Sequence, residues 1–327
     1  MSAFTSEWPG VSVVLPILNE ERHLHDAITA ILKADYPGEL EVILALGPSH
    51  DRTNEIAEKL VAIDARVKLV DSPTGRTAAG LNAAIARSQF PIITRIDGHA
   101  EITTHYIRDA VSIMKSTGAV NVGGIMAAVG TTLFERAVAT AMRSPLGVGA
   151  SRFHTGGVAG PADTVYLGTF NKEALLAAGG YDERYTRAQD WELNFRLRKN
   201  GGVIWFDPSL VVTYRPRSTV KALAKQYFQY GRWRHAVSRS HKGSVNYRYL
   251  APPTAVVIIF GSLVAGFFNP WLFIPAATYG SAIIVGALAI GKSIAEKLIL
   301  PIVLATMHIV WGLGYLTSPP GLIAEEE

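Results

Sequence analysis

Residues 251–290 contain no Asp, Glu, Lys, Arg or His. A bilayer core takes about 20 apolar residues per helix. This run, with Asn269-Pro270 at its middle, therefore reads as a helical hairpin. After residues 291–297 a second apolar run extends to residue 318, broken only by His308. The expected spans are about 251–269, 270–290 and 298–318. A buried pair of soluble helices is the competing reading, which charge-free runs of this length disfavour. Composition agrees: 49% of the 327 residues are hydrophobic, and the mean hydropathy of +0.20 is high for a soluble protein.

Charge orients these helices. Between residues 208 and 250 there is no acid, while Arg215, Arg217, Lys221, Lys225, Arg232, Arg234, Arg239, Lys242 and Arg248 are all basic. Basic flanks stay on the cytoplasmic side, and Lys292 and Lys297 in the turn before the third span fit the same side. The expectation is a multi-pass protein of the plasma membrane with its N-terminal part, residues 1–215, at the cytoplasmic face. Residues 216–248 read as a basic amphipathic interfacial segment facing anionic lipids, and residues 319–327 as an acidic tail. Nucleic-acid binding explains this charge less well than the neighbouring membrane. The first apolar run, 11–18, is too short for a leader and follows Glu7 with no basic residue, so no cleaved leader is expected. The absence of cysteine excludes disulfides and thiol catalysis.

Apolar runs and helical stretches alternate through residues 11–210, the pattern of an α/β, Rossmann-like layer structure with a largely parallel sheet. Val11-Ser12-Val13-Val14-Leu15 reads as a strand ended by Pro16, with Asn19 capping a helix behind it. Glu41-Val42-Ile43-Leu44-Ala45-Leu46 and Val67-Lys68-Leu69-Val70 are further strands, and residues 77–87 a helix after Gly75. The run Pro91-Ile92-Ile93-Thr94-Arg95-Ile96 delivers Asp97-Gly98-His99. In open α/β sheets ligands sit beyond the carboxyl ends of the strands, so the turns at 16–20, 46–51 and 97–99 are expected to line one crevice.

Two motifs in this frame ask for each other. A carboxylate and an imidazole one residue apart at a strand end, Asp97 and His99, can grip a divalent metal that bridges a diphosphate. The segment Gln189-Asp190-Trp191-Glu192 opens a helix and places a second carboxylate to act as a base. Together they point to sugar transfer from a nucleotide-sugar. Each residue also has a plainer role: Asp97 as a turn residue, His99 as a surface or metal-supporting histidine, and Asp190 as a helix cap with Glu192 favouring the positive helix end.

The assembled pattern resembles glycosyltransferase family 2, the inverting GT-A transferases, and among them the membrane-anchored, succinoglycan-type enzymes that build exopolysaccharide on lipid carriers. The residues that carry the resemblance are 11–20, Ser49-His50-Asp51-Arg52-Thr53, Gly80-Leu81-Asn82-Ala83, Asp97-Gly98-His99, Gly179-Gly180-Tyr181-Asp182-Glu183 and Asp190-Trp191-Glu192-Leu193 with Arg196. It implies a nucleotide-diphospho-sugar donor (UDP-sugar foremost), a divalent metal and a single displacement at the anomeric carbon. The donor side would be Pro16, Asn19, Glu20, Ser49, Asp51, Arg76, Asn82 and Asp97, with Asp97 and His99 on the metal and Asp190 as base. The acceptor and diphosphate side would be Gly168, Thr169, Trp191, Glu192, Gln229, Arg232 and Trp233. The last three match a Gln-x-x-Arg-Trp element, although aromatic and arginine residues there also suit an interfacial helix.

Two departures from the family pattern stand out. Leu46 occupies the place where an Asp usually reads the nucleotide base. His99 replaces an acid of the usual Asp-x-Asp pair, which suits Mn²⁺ better than Mg²⁺. For the reaction, a lipid-linked glycan hydroxyl is the expected acceptor. Polyprenyl phosphate is the alternative; already ionised, it needs no base. A polysaccharide synthase would call for more membrane helices, and a non-enzymatic scaffold would not need Asp97 and Asp190.

Overall fold

The structure, a computed structural model, describes residues 6–323; Glu325, Glu326 and Glu327 of the expected acidic tail lie outside the described residues. In chain order the first elements are β1 (Val11–Ile17), α1 (Leu24–Leu32), β2 (Leu40–Leu46), α2 (Thr53–Ile63), β3 (Val67–Asp71), α3 (Thr77–Arg87) and β4 (Ile92–Arg95). Then come β5 (Glu101–Ile102), α4 (Tyr106–Thr117), β6 (Asn121–Ala128), α5 (Leu133–Met142), α6 (Pro145–Val148) and α7 (Arg152–Thr155). β7 (Gly160–Pro161), β8 (Tyr166–Asn171), α8 (Lys172–Ala177), α9 (Gln189–Lys199) and β9 (Ile204–Tyr214) follow. The C-terminal helices are α10 (Val220–Ser240), α11 (Ala251–Gly266), α12 (Ile274–Ile290), α13 (Ile294–Ala305) and α14 (Trp311–Leu316).

These elements form two compact units, residues 6–127 with 156–214, and 128–155 with 215–323. The sequence reading placed residues 1–215 in one domain; in the structure the inserted segment 128–155 groups with the C-terminal helices.

The first unit is a mixed sheet in the order β3-β2-β1-β4-β8-β6-β9-β5, with β7 beside β9. β3, β2, β1 and β4 run parallel. β8 joins antiparallel to β4 and β6 antiparallel to β8. Helices cover both faces of the parallel part, so its strands are apolar almost throughout. Val13, Leu15, Ile17, Val42 and Leu44 share one core with Leu24, Ile28 and Ile31 of α1 and Ile107 and Val111 of α4. α3 lies close against the other face because Gly80 has no side chain: a Cβ there would come within 3.3 Å of the Ala45 Cβ and 3.1 Å of the Ser72 hydroxyl.

Two local expectations change. β1 runs through Pro16 to Ile17, in register with Ala45 and Leu46. Asn19 caps no helix: α1 starts only at Leu24, behind His23. Asn19 instead adopts φ 56° and its side-chain oxygen accepts a hydrogen bond from the His50 amide at 2.9 Å. The short polar side chain of Asn tolerates this left-handed conformation and bonds locally.

In the second unit, α5 opens with a capping box in which the Thr132 hydroxyl and the Glu135 carboxylate each accept the other residue's amide. α10 buries Leu223, Tyr227, Gly231, Ala236 and Val237. Three helices are long and apolar enough to cross a membrane: Tyr247–Gly266, Pro270–Ile290 and Ile294–Leu316. The first and third begin four residues earlier than the charge pattern placed them, because helical geometry continues through residues that hydropathy alone does not mark. His308, the one interruption of the third apolar run, sits in a π turn. Its Nε2 donates to the Leu146 carbonyl at 2.7 Å, and Nδ1 lies 3.3 Å from the Tyr279 hydroxyl. Both ring nitrogens thus have partners, as a polar group in such a run requires.

Candidate active site

Three turns meet at the carboxyl ends of the parallel strands. The Asn19 amide donates to Ser49 Oγ at 3.1 Å, the Glu20 amide to Thr53 Oγ1 at 2.7 Å, and the Glu21 amide to Asp51 Oδ2 at 3.2 Å. Asp51 also caps its own turn, accepting from the Thr53 amide at 3.0 Å. These bonds stitch the turn after β1 to the turn after β2. Gly47 and Gly75 bring the third turn in; a Cβ on Gly47 would stand 3.1 Å from the Gly75 Cα and from the Ile17 carbonyl oxygen. Arg76 follows as the residue before α3. Pro16, Asn19, Glu20, Ser49, Asp51 and Arg76 therefore gather on one edge of the sheet.

β4 ends at Arg95, and the chain turns there, with the Ala100 amide closing onto the Asp97 carbonyl at 2.9 Å. Glu20 meets His99 across this turn, its Oε1 lying 2.8 Å from Nδ1. The contact depends on Gly98, where a Cβ would lie 3.0 Å from the Glu20 Cγ. Glu20 thus reaches the site as the partner of His99.

At the centre is a residue the sequence reading passed over. Arg95 is 4% exposed, and its guanidinium joins the two carboxylates singled out earlier. Nε and Nη2 donate to Asp97 Oδ1 at 3.2 and 3.1 Å, and Nη1 donates to Asp190 Oδ1. The guanidinium lies over the Tyr181 ring, 5.9 Å from its centroid. Burial pushes the Asp190 carboxyl above the ordinary aspartate range; the Asp97 charge adds to this, and Arg95 opposes it. The same surroundings raise the Tyr181 phenol, chiefly through burial. One signal pointed to Arg95: an arginine inside an apolar strand must be paired once buried.

Asp190 stands in the first turn of α9, which begins at Gln189 behind Ala188 at φ 61°, so Asp190 is not the cap. The helix end favours the ionised carboxylate. Asn82 grips the turn before α9. Its side-chain oxygen accepts from the Tyr181 amide at 2.9 Å, and its Nδ2 donates to the Tyr181 carbonyl and to Glu183 Oε1, both at 2.8 Å. Gly180, at φ +67°, makes this possible, since a Cβ would fall 2.8 Å from Asn82 Oδ1.

Other candidates are built into the frame. Glu192 is 1% exposed and forms a two-pronged pair with Arg196 at 2.7 and 2.6 Å. Arg196 in turn donates to the Gly180 carbonyl at 2.8 Å. Trp191 is buried and stacks on Phe195. Thr169 is fully buried, with its hydroxyl 3.1 Å from that of Thr94 on the neighbouring strand. Gly168, at φ +112°, leaves room for the Asn121 side-chain oxygen, 2.5 Å from where a Cβ would be. Gln229, Arg232 and Trp233 lie on α10 in the second unit, where Trp233 is buried and Arg232 lies over the Phe228 ring.

Among the described residues no group of three or more His, Cys, Asp or Glu side chains could by itself hold a metal ion. His99 Nδ1 is turned to Glu20 and Asp97 Oδ1 to Arg95. Two protein donors fit a divalent ion only when a diphosphate supplies further oxygens.

The sheet has the GT-A fold, and the chain belongs to glycosyl transferase family 2, whose model matches residues 12–175. It is 32% identical to the succinoglycan biosynthesis protein ExoA of Rhizobium meliloti (strain 1021), over 93% of each chain. It is 22% identical to the dolichyl N-acetyl-alpha-D-glucosaminyl phosphate 3-beta-D-2,3-diacetamido-2,3-dideoxy-beta-D-glucuronosyltransferase of Methanococcus voltae, over 93% of this chain and 95% of that one. Among solved structures it shares its fold with the mannosyltransferase PcManGT of Pyrobaculum calidifontis, in complex with GDP-Man and Mn²⁺. The TM-score is 0.60 at 17% identity, over 98% of this chain and 89% of that one.

Proposed function

We propose that this chain is a membrane-anchored, inverting hexosyltransferase that moves a sugar from a nucleotide-diphospho-sugar, UDP-sugar foremost, to a hydroxyl of a lipid-linked glycan. The reading places the catalytic unit at the cytoplasmic face of the plasma membrane and the product in cell-surface polysaccharide or glycolipid. One observation carries it: Asp97 and Asp190, far apart in sequence, meet on the single buried guanidinium of Arg95. The relatives support the acceptor class, since one is named for succinoglycan biosynthesis and another for a dolichyl-linked sugar acceptor.

In this reading the turns holding Pro16, Asn19, Ser49, Asp51 and Arg76 take the donor nucleotide and diphosphate. Asp97 and His99 would hold a divalent cation, Mn²⁺ ahead of Mg²⁺, which neutralises the charge on the leaving diphosphate. Asp190 removes the proton from the acceptor hydroxyl as its oxygen attacks the anomeric carbon. The raised pKa of Asp190, caused chiefly by burial, makes its carboxylate a stronger base than that of an ordinary aspartate. Asn82, Thr169, Glu192 and Trp191 then act through the packing of the site, and Arg232 is assigned to the acceptor's phosphate by charge.

The test is transfer in detergent-solubilised membranes, with a panel of nucleotide-sugars, Mn²⁺ and a lipid extract. Asp190→Asn is expected to lower transfer to the lipid-linked sugar by about 10²–10⁴-fold, and Asp97→Ala to abolish it. Full activity of Asp190→Asn, above all on polyprenyl phosphate alone, would remove the base assignment and favour an already ionised acceptor.

A further inference from the structure

Arg95 is a buried charge of the site, yet it lies behind the carboxylates rather than among the groups assigned to substrate. Its guanidinium is planar, with donors on several edges. The Nε–Nη2 edge serves Asp97 and Nη1 serves Asp190. In both carboxylates the atom bonded to Arg95 is Oδ1. The ring of Tyr181 backs the guanidinium, and Asn82 holds the Tyr181 backbone by both its amide and its carbonyl.

We propose that Arg95 is a positioning residue that sets the distance and angle between the donor-side carboxylate of Asp97 and the base Asp190, with Tyr181 and Asn82 as its fixed support. The proposal rests on the function read above. In an in-line displacement the leaving diphosphate and the attacking hydroxyl lie on opposite faces of the sugar. The groups serving them must therefore be held in one fixed relation, and a displacement of about 1 Å costs about 10²-fold in rate. One rigid cation bonded to both carboxylates supplies that relation. It also offsets the repulsion of two neighbouring negative charges in a largely buried place.

Arg95→Lys tests this. The charge stays, but an ammonium on a flexible stem cannot bridge two carboxylates in a fixed plane. The expected result is kcat reduced about 100-fold, donor KM within about 3-fold of the unmodified enzyme and an unchanged thermal midpoint. Because Arg95 acts in part through Asp190, the double variant Arg95→Lys/Asp190→Asn is expected to lose less than the product of the two single losses. An unchanged kcat in Arg95→Lys, or a double variant that loses the product of the two single losses, overturns the proposal. Should Arg95→Lys fail to fold, Tyr181→Leu removes the support while leaving all three charges, and an unchanged kcat there overturns it as well. A slow Asp190→Asn beside a normal Arg95→Lys removes the positioning role alone. Full activity of Asp190→Asn removes the base assignment and, with it, the reason for the bridge.

Discussion

At the residue scale, the site is an arrangement of charges whose strength depends on burial. Asp190 sits above the ordinary aspartate range because burial and Asp97 penalise its charged form more than Arg95 favours it. In its proposed role as base Asp190 works only when ionised, so activity is expected to fall as the medium is acidified, with the acid limb of kcat/KM above the value of about 4 usual for a free aspartate. A pH–rate profile reads this directly; a limb at or below pH 4 would contradict the buried environment of Asp190. The metal reading has its own readout. Chelation is expected to stop transfer and Mn²⁺ to restore it more fully than Mg²⁺, since His99 takes the place of an acid. Full activity after exhaustive chelation would end it. The spacing of Asp97 and His99 is visible in the sequence, whereas Glu20 as the partner of His99 is not. That contact needs the turn after β1 to fold against the turn after β4, with no side chain on Gly98.

At the element scale, close approaches decide which helices stay together. α10 and α14 meet at Gly231, where a Cβ would collide with the Trp311 carbonyl oxygen, and at Gly314, where it would collide with the Phe228 carbonyl oxygen. Gly231→Ala is expected to cost about 1–3 kcal/mol, as overpacking does, and to lower the thermal midpoint in detergent; an unchanged midpoint would show that the two helices can separate freely. α5 offers a second test. Three donors from Thr131 and Thr132 hold Glu135 down at about 2, below its ordinary 4.5. A carboxylate depressed on folding adds stability that is complete above about 4.5 and is lost as pH falls toward 2. Thr132→Ala is expected to cost about 1 kcal/mol at neutral pH, read as a shift in the denaturation midpoint. Hydrophobic runs placed β1, β2, β3, β4 and α3 well, since each carries its own period or apolar run. The short antiparallel strands β5 and β7 had no such signal, because their pairing with β9 is made by the sheet and not by their own composition.

At the scale of the whole molecule, three long apolar helices in one unit of a two-unit chain make membrane association the governing fact. The protein is expected to remain in the pellet through a high-salt and alkaline carbonate wash and to be released by detergent. Release by salt alone would mean that only the basic segment holds it. By itself the sequence determined the apolar C-terminal helices and the parallel strands, and it singled out Asp97 and Asp190. Each of these is written in residues close together along the chain, as a run, a period or a short spacing. Only the tertiary structure decided that residues 128–155 group with the C-terminal helices, that Asn19 joins two turns, and that Arg95 bridges Asp97 and Asp190. These depend on strand register and on which faces pack, so residues distant in the chain become neighbours only when the sheet has closed around them.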